Sequence, residues 1–116
     1  MRKITIGEKE LTLRATPVAL LYYEQEFGSN LVVDLPKLVD VDKLNDGDIS
    51  GIDYIGLLQL VFAMNKAANV GKNFPGFDQW LDSLGNVDFA DTVWIDEATR
   101  EAINGFFRSS QPATGK

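Results

Sequence analysis

The side chains that could do chemistry in this chain are carboxylates and aromatics, because it holds no histidine and no cysteine. Without histidine, the commonest general base and the commonest transition-metal ligand are both missing. Without cysteine there is no thiolate nucleophile and no disulfide. A pair of carboxylates can still cleave a glycosidic bond when the two face each other across it. Glu24 and Glu26 lie on different faces of an expected helix, however, and Asp96 and Glu97 are neighbours that cannot face one another. The polar run Asn45 to Asp53, NDGDISGID, has the look of a calcium loop. Such a loop needs oxygen ligands at alternating positions, glycine at the sixth and glutamate at the twelfth. Counted from Asp46, Gly51 falls sixth but Leu57 falls twelfth; counted from Asp42, Gly47 is sixth and Asp53 twelfth, but Leu44 is third. The run is therefore read as a loop that caps a helix, with no metal site. Neither GxxxxGK[ST] nor GxGxxG occurs, so no phosphate-cradling loop is visible. The expectation is a protein with no catalytic, cofactor or metal site.

The aromatics offer binding rather than reaction. Tyr22, Tyr23, Phe27, Trp80, Trp94, Phe106 and Phe107 are more than one small core is expected to bury completely. Most belong in that core, but exposed aromatics anchor interfaces. Tyr22 and Tyr23 are adjacent on a helix and point about 100° apart, so one of them belongs at the core's edge. The candidate protein-interaction residues are Tyr22, Tyr23, Phe27, Trp94, Phe106 and Phe107, with the Phe106-Phe107 end foremost.

These side chains need elements to hold them, and the elements are legible. Ile4 and Ile6, then Leu11 and Leu13, alternate with polar residues, which gives two strands with one apolar row each. Gly7, Glu8, Lys9 and Glu10 form the polar turn between them. Thr16 is placed to cap a helix and Pro17 to begin it, while Gly28 ends it. Asp34 and Pro36 open an expected second helix through Val41. The third helix, Ile52 to Ala68, is apolar around much of its circumference and so belongs at the centre of the core or at an interface. Phe77 to Leu84 forms a short amphipathic helix closed by Gly85. A last helical region starts at Asp88 or Asp91 and runs through Arg108, with a break at Asp96-Glu97. Its Glu97 and Glu101 are taken as solvated partners of Arg100 and Arg108.

The fold class is mainly α: a small helical body, residues 16–108, preceded by a β-hairpin, residues 3–14, in one domain spanning 1–108. Residues 109–116 are expected to be a disordered tail. At 116 residues the chain has the length of one domain, and 45% hydrophobic content supports a packed core. The net charge of -6 opposes a nucleic-acid partner, since phosphates need a basic face. The apolar stretch around Gly56 to Met64 is too short to span a bilayer, and Met1-Arg2-Lys3 has no apolar run behind it to make a signal peptide. A cytoplasmic location follows as the expectation.

In its order of features the chain resembles the tail assembly chaperones of long-tailed, siphovirus-type phages and prophages. The similar parts are ITIGEKELTLRATPVALLYYEQEFG, LLQLVFAMNKAAN, FDQWLDSLG and EAINGFFRSSQP, which together reach over about residues 3 to 110. The likeness is one of pattern and order, with no single diagnostic motif. It implies a non-enzymatic role in virion assembly in the host cytoplasm: binding the tape measure protein, keeping it soluble, and helping tail tube protein polymerise around it. It further implies absence from the finished particle and many copies on one client, by self-association. The alternative is a structural head–tail connector or minor tail subunit, which would persist in purified particles.

Overall fold

The computed structural model describes residues 2–31, 33–34, 53–88 and 91–106. Strand β1 (Arg2–Ile6) and strand β2 (Lys9–Leu13) pair antiparallel in a two-stranded sheet. Helices α1 (Pro17–Phe27), α2 (Tyr54–Ala67), α3 (Phe77–Ser83) and α4 (Thr92–Phe106) follow. The protein is thus mainly helical with an N-terminal hairpin. Asp34, expected to open a second helix, is already inside a helical turn, its N–H donating to the Asn30 carbonyl at 3.0 Å. The rest of that helix over 35–41, the loop over 45–52, Phe89, Phe107, Arg108 and the tail 109–116 lie outside the described residues.

The hairpin turn is tighter than the sequence suggests. Lys9 and Glu10 belong to β2, and only Gly7 and Glu8 turn the chain. Gly7 has φ +60°, and among the described residues no non-glycine has positive φ. That is the pattern of a type II′ turn with glycine in its first central position. Ile4, Ile6, Leu11 and Leu13 are buried on one face of the hairpin. A lone hairpin is marginal in water, so this face needs the helices that cover it. The tip is docked as well: Glu8 N–H donates to the Leu84 carbonyl at 3.3 Å.

Helix α2 is the central element. Leu57, Leu58, Leu60, Val61, Phe62, Ala63, Met64 and Ala67 are all buried, against α1 on one side and β2 on another. Asp53 Oδ1 accepts from Gly56 N–H at 2.9 Å, an N-cap of the expected kind. Ile55, on the opposite face of this largely apolar helix, is 55% exposed. At α1, Pro17 begins the helix and Gly28 ends it with φ +69°. Thr16 makes no side-chain cap; it supplies extended backbone and a carbonyl that accepts from Ala19 N–H at 2.8 Å.

Helix α4 runs unbroken through Asp96-Glu97, contrary to the expected break. Asp91 Oδ1 caps it by accepting from Val93 N–H at 2.9 Å. Arg100 Nε meets Asp96 Oδ2 at 2.8 Å, one turn apart, which supports the helix where the break was expected. The buried row Ile95, Ala98 and Ala102 continues without interruption across that point. A further departure concerns Glu101, which is buried rather than solvated. Among the described residues no helix is long and apolar enough to cross a membrane.

Candidate interaction surface

The aromatics are accommodated by one interlocked cluster. Phe62, fully buried on α2, is its hub, with Phe27, Phe74, Phe77 and Trp80 rings centred 5.4 to 5.8 Å away in edge-to-face geometry. This arrangement sets the positive edge of one ring against the negative face of the next. Tyr23 joins through Phe27 at 5.1 Å. Helix α1 thereby brings Tyr22, Tyr23 and Phe27 to the α2 side, whereas Trp94 and Phe106 sit on α4.

Burial separates the expected interaction residues. Tyr23 is 2% exposed and Trp94 1%, so both are core residues and cannot be exposed anchors. Their rows on α1 and α4 point inward because α2 and β1 pack there. Tyr22, Phe27 and Phe106 are half-buried, packed on the core with one side open. Tyr22 lies under the Lys66 ammonium, 4.7 Å from its ring centre, a cation–π contact. Phe107 lies outside the described residues. The large apolar residues that do present surface were not among these candidates: Leu21, Val33, Ile55, Val70 and Val93 are about half exposed or more.

Two buried polar groups hold the surface in place. Asn65 is inside the core; its Nδ2 donates to the Thr12 carbonyl at 2.9 Å and its Oδ1 accepts from Trp80 Nε1 at 3.0 Å. One amide thus ties β2 to α3 through α2. Glu101 meets Arg2 Nε through Oε1 at 3.6 Å, and its Oε2 accepts from Ala15 N–H at 3.4 Å. It clasps the start of β1 and the linker after β2 onto α4. In the same region Gly105 lets α4 approach the linker closely. A third contact lies between helices: Glu26 Oε2 accepts from Phe77 N–H at 3.1 Å, so α1 lends a carboxylate to the N-terminus of α3.

The electrostatics around Tyr23 are also those of a closed interior. Its hydroxyl donates to Asp34 Oδ2 at 3.3 Å, and Ser29 Oγ donates to the same oxygen. Burial first, then the Asp34 carboxylate, pushes the Tyr23 phenol up to about 12. That phenol is held neutral and is no acid or base near neutrality.

Two open clefts flank α4. One, about 450 Å³, runs between β1 (Lys3, Ile4, Thr5) and the first turns of α4 (Val93, Trp94, Glu97). The other, about 430 Å³, lies by Arg14, Thr16, Glu101 and Asn104. In the second, both Glu101 oxygens are engaged structurally, which suits a clasp rather than a reacting acid. Among the described residues no three histidine, cysteine or acidic side chains gather to hold a metal ion. The chain matches no protein-family model, no curated protein and no solved structure.

Proposed function

We propose that this chain is a non-enzymatic tail assembly chaperone of a long-tailed phage or prophage. It binds the tape measure protein, keeps it soluble, and promotes polymerisation of tail tube protein around it. It works in the host cytoplasm and leaves before the particle is complete. The observation that carries this reading is the layout: an N-terminal hairpin laid on a helical body, in the order the sequence resemblance implies. The partly open rings of Tyr22, Phe27 and Phe106, with Leu21, Ile55 and Val93 exposed beside the core, suit a protein that masks apolar stretches of a helical client. Repeated copies on one rod would follow from head-to-tail self-association.

The test is co-expression with the tape measure protein encoded nearby. The client should stay soluble and copurify, and Tyr22→Ala with Phe106→Ala should weaken that capture while the helical signal persists. A client that aggregates regardless, with nothing copurifying, overturns the reading. Finding the chain in purified particles would mean a structural subunit instead.

A further inference from the structure

The two edges of the hairpin are treated differently by the fold. The register pairs Ile6 with Lys9 across the two-residue turn, then Thr5 with Glu10, Ile4 with Leu11 and Lys3 with Thr12. In an antiparallel ladder the pair flanking such a turn exchanges hydrogen bonds, and the pairs then alternate. Ile4 and Ile6 therefore bond across to β2, while the backbone groups of Lys3 and Thr5 point outward from β1. The same alternation turns Thr12 and Arg14 outward from β2. There the groups are taken: the Thr12 carbonyl accepts from Asn65 Nδ2 at 2.9 Å, and Arg14 N–H donates to the Met64 carbonyl at 3.0 Å. Helix α2 thus engages the β2 edge at Thr12 and, just past the strand's end, at Arg14. Among the described residues the sheet ends at β1, and its outer edge lines the 450 Å³ cleft.

From this we infer that the β1 edge is a docking site for an extended, basic peptide segment of a partner protein, which adds a third strand along Lys3 to Thr5. The inference rests on the protein-binding reading above and deepens it by naming the chemistry of the bound segment. An unpaired strand edge is a ready template for another strand, and main-chain bonds from it give affinity without demanding one sequence. Charge selects the occupant. Asp91 and Glu97 line the cleft against Lys3, the one cation among its described lining residues, so lysine or arginine on the incoming strand is favoured. A second copy would bring the same carboxylates to the same place. Period-two alternation of the guest would set one row of its side chains over Val93, which is 64% exposed, and Trp94 beneath it. Trp94 itself is buried below Val93 at the edge of the cleft, so its indole N–H serves as a reporter of occupancy.

The test needs no phage component, so it succeeds or fails apart from the co-expression experiment. The probe is a fluorescein-labelled peptide of alternating lysine and valine, with a glutamate–valine peptide as control. Binding is read by polarisation, and the site by amide hydrogen exchange in solution. In the free protein the Lys3 and Thr5 amides should exchange freely while Ile4 and Ile6 are protected. The basic peptide should protect Lys3 and Thr5 by about tenfold or more and shift the Trp94 indole N–H, while the acidic control should not bind. Thr5→Pro removes one outward N–H and no ladder bond, and should lower affinity about tenfold. Asp91→Asn/Glu97→Gln, which keeps a capping side chain at the start of α4, should weaken binding without touching the edge. The inference is overturned if the peptide binds and leaves Lys3 and Thr5 unprotected, or does not bind. It is equally overturned if those amides are already protected in the free protein. Were that protection to grow with protein concentration, the occupant would be a second copy.

Discussion

Gly105 sets two effects of opposite sign against each other, so Gly105→Ala measures which dominates. The position lies near the end of α4, where alanine is the better helix former by up to about 1 kcal/mol. A Cβ there would stand 2.3 Å from the Ala15 Cβ and 2.4 Å from the Ala15 carbonyl oxygen. Carbon atoms prefer roughly 3.5–4.0 Å, so α4 and the linker would have to part by roughly 1 Å or more. One of the two obstacles is backbone, which cannot rotate away. Parting them also stretches the Ala15 N–H bond to Glu101, already 3.4 Å long. Overpacking of this kind costs about 1–3 kcal/mol, and more where backbone must move. The clash outweighs the gain in helix propensity, and the expected net loss is about 2 kcal/mol. Urea unfolding followed by tryptophan fluorescence should show a lower midpoint with an unchanged slope. The melting temperature should fall by roughly 5–10 °C. Adding Ala15→Gly should restore only part of the loss, because the carbonyl contact remains. A midpoint equal to or above the parent's would refute the close approach of α4 to the linker.

Other predictions follow from single contacts. Asn65→Leu leaves the Trp80 indole N–H and the Thr12 carbonyl without their partner and should destabilise by about 2–4 kcal/mol in the same unfolding assay, against about 1 for Asn69→Ala, which loses one Nδ2 bond to the Asn65 carbonyl. Gly7→Ala meets both a left-handed φ and the Leu84 carbonyl oxygen 2.5 Å away, whereas Gly28→Ala meets only the φ; the first should lose clearly more stability than the roughly 1 kcal/mol of the second. Ultraviolet titration should find one phenol with a midpoint near 12, lost in Tyr23→Phe. Because that folded value lies above the ordinary 10, its contribution to stability is full below pH 10 and is lost as pH rises to about 12. Asp34→Asn should lower the midpoint but leave it above 10, since burial is the larger cause.

Local backbone chemistry carried most of the element boundaries. Pro17, Gly28, Asp53 and Gly85 begin or end helices as their types demand, and Gly7 takes the positive φ the turn needs. The expected break at Asp96-Glu97 failed because two adjacent acids are no helix breaker when the apolar row continues past them and Arg100 answers Asp96. Glu101 was misplaced because a carboxylate on a helix looks solvated until a distant strand brings Arg2 to it.

What the sequence determined by itself was therefore the menu of elements and the absence of histidine and cysteine chemistry: turn geometry, caps and periodicity act over a few residues and need no partner. Tertiary structure alone decided which aromatic is a wall and which a surface. Tyr23 and Trp94 are buried, while Tyr22 and Val93, one position away along the chain, are half-buried and exposed. It alone decided that Asn65 would bridge β2 and α3, and that α2 would engage the hairpin at Thr12 and Arg14. The reason is physical: periodicity assigns a side chain to a row, but only the packing of elements distant in sequence decides which rows meet and which backbone groups find a partner.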